Sequence, residues 1–174
     1  MYYDRKCKIT FICNGATIFS EDDRFSDAEA YPPLSDTGID EMEKICEYLK
    51  YRAIKNDKIY TSPATRTIQS AGMISKLFKQ DFEIIEDLRP RKCGSFNNLT
   101  FEQVYETSPE AMETLINSPE TPVPSDAESM TDFINRISAT LNRVIEENVG
   151  NRIIIVTHKD IIKAAIVAAL KMPH

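Results

Sequence analysis

The chain has 174 residues, a length that favours one domain with a single hydrophobic core, and we predict a single domain over residues 1–174. Its formal net charge of −6 disfavours binding to nucleic acid and to anionic membranes, because an acidic surface is repelled by both. The sequence has no apolar run near the ~20 residues that span a bilayer.

Four cysteines are scattered along the chain without a C-x-x-C pair. This pattern is typical of reduced thiols, and the N-terminus lacks the apolar core of a signal peptide, so a cytoplasmic protein is expected. The chain has two histidines, one of which is the last residue, His174. A zinc site is therefore not expected, and we predict neither a metal nor a cofactor.

The first predicted element is a strand that ends at Asn14-Gly15. The segment Ile9–Thr17 reads I-T-F-I-C-N-G-A-T, an apolar run rich in β-branched residues that stops at a polar pair. Ligands of open α/β sheets bind beyond the carboxyl ends of the strands, so Cys13 and Asn14 are candidate site residues. The acidic stretch Ser20–Ala30 that follows is predicted to be a surface loop with its carboxylates in solvent.

The rest of the chain alternates between strand-like and helix-like segments. Apolar residues at helical spacing, short β-branched runs and Pro or Gly breaks set the boundaries. The predicted elements are a helix over Thr37–Arg52 capped by Ser35 or Asp36, a strand over Lys58–Thr61, a helix over Ala64–Phe78, a strand over Phe82–Ile85, an irregular segment over Asp87–Asn98, helices over Phe101–Tyr105 and Pro109–Ile116, a loop over Asn117–Ser125, a helix over Asp126–Glu147, a strand over Arg152–Thr157 and a helix over Lys159–Leu170.

This alternation predicts a three-layer α/β/α sandwich with a mostly parallel central sheet. The continuous apolar run Arg152–Thr157 is typical of a central parallel strand covered on both faces.

Three predicted loops follow strand ends and should converge at one edge of the sheet. They would bring Asn14, Arg66 and His158 to one pocket, with Arg66 in the first turn of its helix. A guanidinium and an imidazole beside a helix N-terminus form a plausible phosphate site. Each residue also has an ordinary alternative: an exposed helix charge, a structural histidine or a simple turn.

Five motifs in order resemble the histidine phosphatase superfamily, which has the phosphoglycerate mutase-like fold. The segment Ile59–Ala71, I-Y-T-S-P-A-T-R-T-I-Q-S-A, is similar to the family pattern Y-S-S-P-x-x-R-x-x-Q-T-A. The other matching segments are Tyr31–Gly38 with P-L-T-x-x-G, Leu88–Thr100 with L-R-E-x-x-x-G-x-W-x-G-L-T, Glu128-Ser129 with G-E-S, and Val156–His158 with V-S/T-H-G.

The resemblance implies roles for residues at the predicted pocket. In the family, one histidine attacks phosphorus, while two arginines and a second histidine hold the phosphoryl oxygens. By position Arg66 matches the second arginine and His158 the second histidine. The neighbouring Thr157 and Lys159 are also expected to contact the ligand.

The same resemblance implies that three catalytic positions are replaced. Asn14 stands at the place of the nucleophilic histidine, Cys13 at the place of the first arginine, and Pro90 at the place of the acid in L-R-E. An amide has no basic lone pair, and losing a covalent nucleophile typically costs on the order of 10⁶ in rate. Losing a general acid costs roughly 10²–10⁴.

Other residues could restore some chemistry. Cys13 could attack if Arg66 lowered its pKa, and His158 could attack in place of Asn14. Carboxylates from nearby loops could supply the acid; the candidates are Glu86, Asp87 and Glu128.

Three hypotheses follow from the sequence. The first is a catalytically inactive domain with a residual phosphate-binding pocket and a regulatory or binding role, its ligand being phosphate or a phosphorylated small molecule. The second is an active phosphomonoester phosphatase or mutase that uses non-standard residues. The third is a structural or protein-interaction domain. The family usually continues into a further strand after the last helix, so an open strand edge would allow a homodimer.

Overall fold

Four parallel strands form the central sheet in the computed structural model, which describes residues 6–27, 32–118 and 120–170. They are β1 (Lys8–Cys13), β2 (Lys58–Thr61), β3 (Phe82–Ile84) and β4 (Arg152–Thr157). Their order in the sheet is β1-β4-β2-β3, and all three neighbouring pairs are parallel. The predicted α/β sandwich with a parallel sheet is confirmed, and Arg152–Thr157 is a central strand as expected.

Helices cover both faces of this sheet. They are α1 (Ile18–Glu21), α2 (Asp36–Tyr51), α3 (Thr65–Phe78), α4 (Phe101–Thr107), α5 (Pro109–Asn117), α6 (Met130–Glu147) and α7 (Lys159–Leu170). Two short 3₁₀ turns, Glu86–Leu88 and Gly94–Phe96, lie in the segment predicted to be irregular. Within the described residues, no helix is both long and apolar enough to cross a lipid bilayer.

The two helical layers pack on alternate residues of β4. Ile153 and Ile155 point into the core shared with α6 and α7. Ile154 and Val156 point into the core shared with α2 and α3. Because successive side chains of a strand point to opposite faces, a continuous apolar run is what a strand buried on both sides requires.

Helix α6 begins later than the sequence predicts. It starts at Met130 rather than at Asp126, because the Ser129 hydroxyl accepts a hydrogen bond from the Asp132 N–H and caps the first turn. Asp126 is engaged elsewhere, since its carboxylate accepts a hydrogen bond from the Ser95 N–H. The local cap at Ser129 therefore sets the helix boundary, and Asp126 is held outside the helix by a partner distant in sequence.

The described part of the stretch predicted to be an acidic surface loop begins inside a helical turn and includes a buried carboxylate. Its first two residues, Ser20 and Glu21, belong to α1, whose first turn is closed by a capping box between Thr17 and Ser20. Asp27 is buried, which contradicts the expectation that the carboxylates of this stretch face solvent. Its carboxylate accepts a hydrogen bond from the backbone N–H of Cys93.

Some predictions concern residues outside the described part of the chain. These are Tyr31 of the second motif, His174, and the end of the stretch Ser20–Ala30. The edge strands β1 and β3 each have one neighbour among the described residues, and a homodimer through such an edge stays a prediction.

The turn after β1 is fixed by close contact with the start of α2. A Cβ added to Gly15 would overlap the carbonyl of Gly38, and a Cβ added to Gly38 would overlap the carbonyl of Ala16. Hydrogen bonds from the Ser35 N–H to the Ala16 carbonyl (3.0 Å) and from the Ala16 N–H to Glu41 Oε2 (2.8 Å) hold the two segments together. This contact sets the position of Asn14, which directly precedes Gly15.

We expect Gly38→Ala to destabilise the fold by about 2–3 kcal/mol, since the added methyl group meets main-chain atoms rather than a movable side chain. The matched control is Gly72→Ala in α3, where a Cβ has nothing within 4 Å. That change should stabilise the helix by about 0.5–1 kcal/mol. Urea unfolding of the three proteins measures both effects, and equal stabilities of the two variants would contradict the contact.

Candidate functional site

A cavity of about 290 Å³ lies where the carboxyl ends of the central strands meet. It brings together the three residues that the sequence predicted to converge: Asn14 after β1, His158 after β4, and Arg66 in the first turn of α3. Eight further residues line this cavity: Thr17, Ser20, Asp23, Arg24, Ser26, Phe101, Lys159 and Asp160.

A hydrogen-bond chain crosses the floor of the cavity. The Nδ1 of His158 lies 3.1 Å from Asn14 Oδ1, and its Nε2 lies 2.8 Å from Ser62 Oγ. The Asn14 Nδ2 donates to the Gly15 carbonyl at 2.8 Å, so its Oδ1 faces the imidazole and accepts from Nδ1–H. The Nε2 lone pair then accepts the hydroxyl proton of Ser62.

His158 is neutral in this arrangement. Burial lowers its pKa well below the usual value, and the positive charge of Arg66 lowers it further. One ring nitrogen carries the proton and the other accepts from Ser62. This geometry disfavours the alternative in which His158 itself attacks phosphorus.

The order Ser62–His158–Asn14 has the connectivity of a hydrolase triad, but its serine is inaccessible. Ser62 is 0% exposed and is not among the residues that line the cavity. A nucleophile must reach its substrate, so we assign this chain of hydrogen bonds a positioning role. It fixes the tautomer and orientation of the imidazole.

Arg66 supplies a buried positive charge to the cavity. It is 6% exposed, and within the described residues its guanidinium makes one long hydrogen bond, from Nη1 to the Asp27 carbonyl at 3.5 Å. Burial lowers its pKa while the nearby Asp27 charge raises it, and an arginine remains protonated in either case. Most of its five N–H donors are therefore available to an anion.

Ser26 and Arg24 also line the cavity, and the sequence analysis did not identify them. The hydroxyl of Ser26 is buried and has no hydrogen-bond partner among the described residues. Between them Phe25 is buried, with its ring 4.4 Å from that of Phe101 and 5.8 Å from that of Phe96. Because Phe25 anchors the segment, Arg24 and Ser26 on either side of it line the cavity. The alternation of polar and apolar residues over positions 24–26 was the sequence signal that could have identified them.

Cys13 does not line this cavity. It is exposed in an adjoining groove of about 620 Å³ that it shares with Glu41, Lys44 and Lys159. Partial burial raises the pKa of the Cys13 thiol, and this effect outweighs the opposing influence of Lys159. These surroundings give no support to the alternative in which Arg66 lowers the pKa of Cys13, and that alternative stays a prediction.

Pro90 and Thr157 lie beside the cavity rather than in its lining. Pro90 is buried just after the first 3₁₀ turn. Thr157 is buried at the end of β4, and its hydroxyl has no hydrogen-bond partner among the described residues.

The carboxylates proposed as substitute acids also stay out of the cavity. Glu128 forms a bidentate pair with Arg136, with N–O distances of 2.8 and 2.7 Å. Asp87 lies 3.3 Å from Arg89, and Glu86 is exposed. The carboxylates that line the cavity are instead those of Asp23 and Asp160. Among the described residues, no group of three or more potential ligands is placed to hold a metal ion.

Comparison with known proteins gives one family and a consistent set of relatives. The family model described as histidine phosphatase superfamily (branch 1) matches residues 9–174. Phosphoglycerate mutase-like protein 4 of Arabidopsis thaliana is 27% identical over 133 residues, which are 75% of this chain and 57% of that protein. The metal-independent phosphoserine phosphatase of the same plant is 25% identical over 159 residues, 90% of this chain and 66% of that protein.

The fold is also found in solved structures. A phosphoserine phosphatase from Entamoeba histolytica, solved as a histidine-to-alanine mutant in complex with phosphoserine, superposes with a TM-score of 0.81 at 22% identity. The match covers 95% of this chain and 81% of that one.

This chain spans less than two thirds of the length of each of the two plant relatives.

We expect the stability of the protein to fall as the pH drops below about 6.5, because His158 is neutral when folded and protonates when unfolded. Its contribution is fully present above that pH and is lost as the pH falls towards the lower pKa of the folded state. The slope reaches up to about 1.4 kcal/mol per pH unit for one proton.

His158→Gln tests this expectation, because glutamine offers a donor and an acceptor in place of the imidazole but does not titrate. Urea unfolding between pH 7.5 and 5 should show a shallower loss of stability in the variant. His174 is present in both proteins and cancels in the comparison. Identical slopes would show that His158 is not the neutral buried group described above.

Proposed function

The chain belongs to the histidine phosphatase superfamily, and on that basis we propose that it is a phosphate-binding member that does not turn over its ligand. Its ligand is phosphate or a phosphorylated small molecule held in the cavity of Arg66 and His158. Its role is binding or regulation rather than catalysis.

The observation that carries this proposal is that the guanidinium of Arg66 is buried with few hydrogen-bond partners. A buried charge is costly unless it is paired and hydrogen-bonded, yet this guanidinium makes one long hydrogen bond within the described residues. A phosphate would satisfy this guanidinium, since arginine pairs with phosphate through two parallel hydrogen bonds.

The environment of Asn14 supports the absence of turnover. Its carbonyl oxygen accepts from His158 and its nitrogen donates to the Gly15 carbonyl. An amide nitrogen has no basic lone pair with which to attack phosphorus. We therefore infer that Asn14 holds His158 in place and forms no covalent bond to phosphorus.

The Entamoeba structure supports ligand binding by a protein of this fold that lacks one of its histidines. That protein forms a complex with phosphoserine although one of its histidines is replaced by alanine. We infer by analogy that a cavity with asparagine at position 14 retains affinity for a phosphorylated ligand.

We expect phosphate or vanadate to raise the unfolding temperature of the wild-type chain. A ligand at 100 times its dissociation constant adds about 2.7 kcal/mol to the free energy of unfolding. Arg66→Gln should abolish the shift, because it removes the buried positive charge of the cavity. Arg52→Gln, at an exposed position beyond the end of α2, is the matched control and should retain the shift. A wild-type chain that shows no shift would favour the hypothesis of a structural or protein-interaction domain.

We expect hydrolysis of p-nitrophenyl phosphate to stay at background in the wild-type chain, and no phosphorylated protein to be detected by mass spectrometry. The triple variant Cys13→Arg, Asn14→His, Pro90→Glu should gain measurable activity, since it restores the residue types of the family pattern. Cys13→Arg with Asn14→His is the control that lacks the acid, and it should be roughly 10²–10⁴ slower than the triple variant. Rapid turnover by the wild-type chain would support the active-enzyme hypothesis and contradict this one.

A further inference from the structure

The cavity divides into a buried floor and an open rim, and the two carry different charges. On the floor lie Arg66, which is 6% exposed, and His158, which is 7% exposed and neutral. On the rim lie Asp23 and Asp160; the Asp160 side chain is 68% exposed. A phosphorylated ligand would place its phosphate on the floor, so its organic part would extend past the rim.

The two rim carboxylates are weakly engaged within the protein. Asp160 lies 3.9 Å from Lys163, and both side chains are mostly exposed, so this pair contributes little. The carboxylate of Asp23 makes no hydrogen bond or ion pair among the described residues. Both are therefore available to a cationic group on the ligand.

The rim also carries two cations, Arg24 and Lys159. Arg24 pairs with Asp22 at 3.2 Å, and its Nη1 donates to the Asn98 carbonyl at 3.0 Å. Lys159 also lines the adjoining groove. Besides the paired Arg24, the rim therefore carries two carboxylates and one cation, above a floor that is positive.

We propose that the ligand is a small phosphomonoester that also carries an ammonium group, with its phosphate at Arg66 and its ammonium at Asp160 and Asp23. This inference rests on the proposed function of the same cavity. The volume of about 290 Å³ is at the lower end for small-molecule sites, which favours a compact amino-phosphate over a nucleotide. Asp160 and Asp23 are then the residues that determine specificity.

Isosteric ligands test this proposal directly. Phosphoethanolamine and propyl phosphate differ by an ammonium in place of a methyl group, and 4-aminobutyl phosphate with pentyl phosphate forms a second, longer pair. Isothermal titration should show that the amine of at least one pair binds about three- to tenfold tighter than its alkyl partner. Phosphoglycolate, which ends in a carboxylate, should bind more weakly than phosphoethanolamine.

Substitutions of the two rim carboxylates test whether these residues bind the ammonium group. Asp160→Asn, alone or with Asp23→Asn, should bring the affinity ratio within a pair close to one. The effect of the lost charge on the phosphate is common to both members of a pair and cancels, so the ratio reports on the ammonium alone. The control Asp40→Asn removes an exposed carboxylate of α2 outside the cavity and should leave the ratio unchanged.

The outcomes separate the two proposals. If alkyl and amino members of both pairs bind equally, or if phosphoglycolate binds more tightly than phosphoethanolamine, amine recognition is overturned while phosphate binding stands. If none of these compounds binds, both proposals fail. A preference that survives the Asp160 and Asp23 variants would overturn the assignment of these two residues.

Discussion

The chain of hydrogen bonds through His158 links three neighbouring strands at their carboxyl ends. Asn14 follows β1, His158 follows β4 and Ser62 follows β2, and these strands are adjacent in the order β1-β4-β2. Because the imidazole is neutral, it can donate to the amide and accept from the hydroxyl at the same time. A protonated ring could no longer accept from the Ser62 hydroxyl and would face the charge of Arg66.

The charge distribution of the site follows from this series of uncharged hydrogen-bonded groups. The other residues on the floor of the cavity contribute an amide, a neutral imidazole and hydroxyls, none of which carries a charge. The nearby carboxylate of Asp27 raises the pKa of Arg66 and offsets part of its charge; it also accepts a hydrogen bond from the Cys93 N–H. The anion binding proposed above depends on the positive charge that remains.

Much of the framework could be predicted from the sequence because local signals were strong. Lys58–Thr61 and Arg152–Thr157 form strands over the predicted residues, and Ser35 caps α2 through the Gly38 N–H. What failed depends on distant partners or on a choice between local caps. Asp27 is buried where the Cys93 backbone N–H donates to its carboxylate. Helix α6 starts at Met130 because Ser129 caps it, while Asp126 accepts from Ser95 instead.

The sequence predicted the site residues at strand ends but not those that depend on distant packing. Strand ends locate Asn14 and His158, but the contribution of Ser26 depends on Phe25 packing against rings from a later segment. Cys13 lines only the groove, whereas Asn14 lines both the groove and the cavity. The sequence placed both residues at the end of β1 but could not separate these two positions.

The close packing of Gly15 against Gly38 has a consequence for how this corner of the fold can change. The obstruction on each side is a peptide carbonyl, so no smaller neighbouring side chain could make room for a larger residue. The backbone around position 14 is therefore held independently of the side chain it bears. Imidazole, amide or carboxylate would all be presented at the same place, which makes the chemistry of this corner exchangeable while its location is fixed.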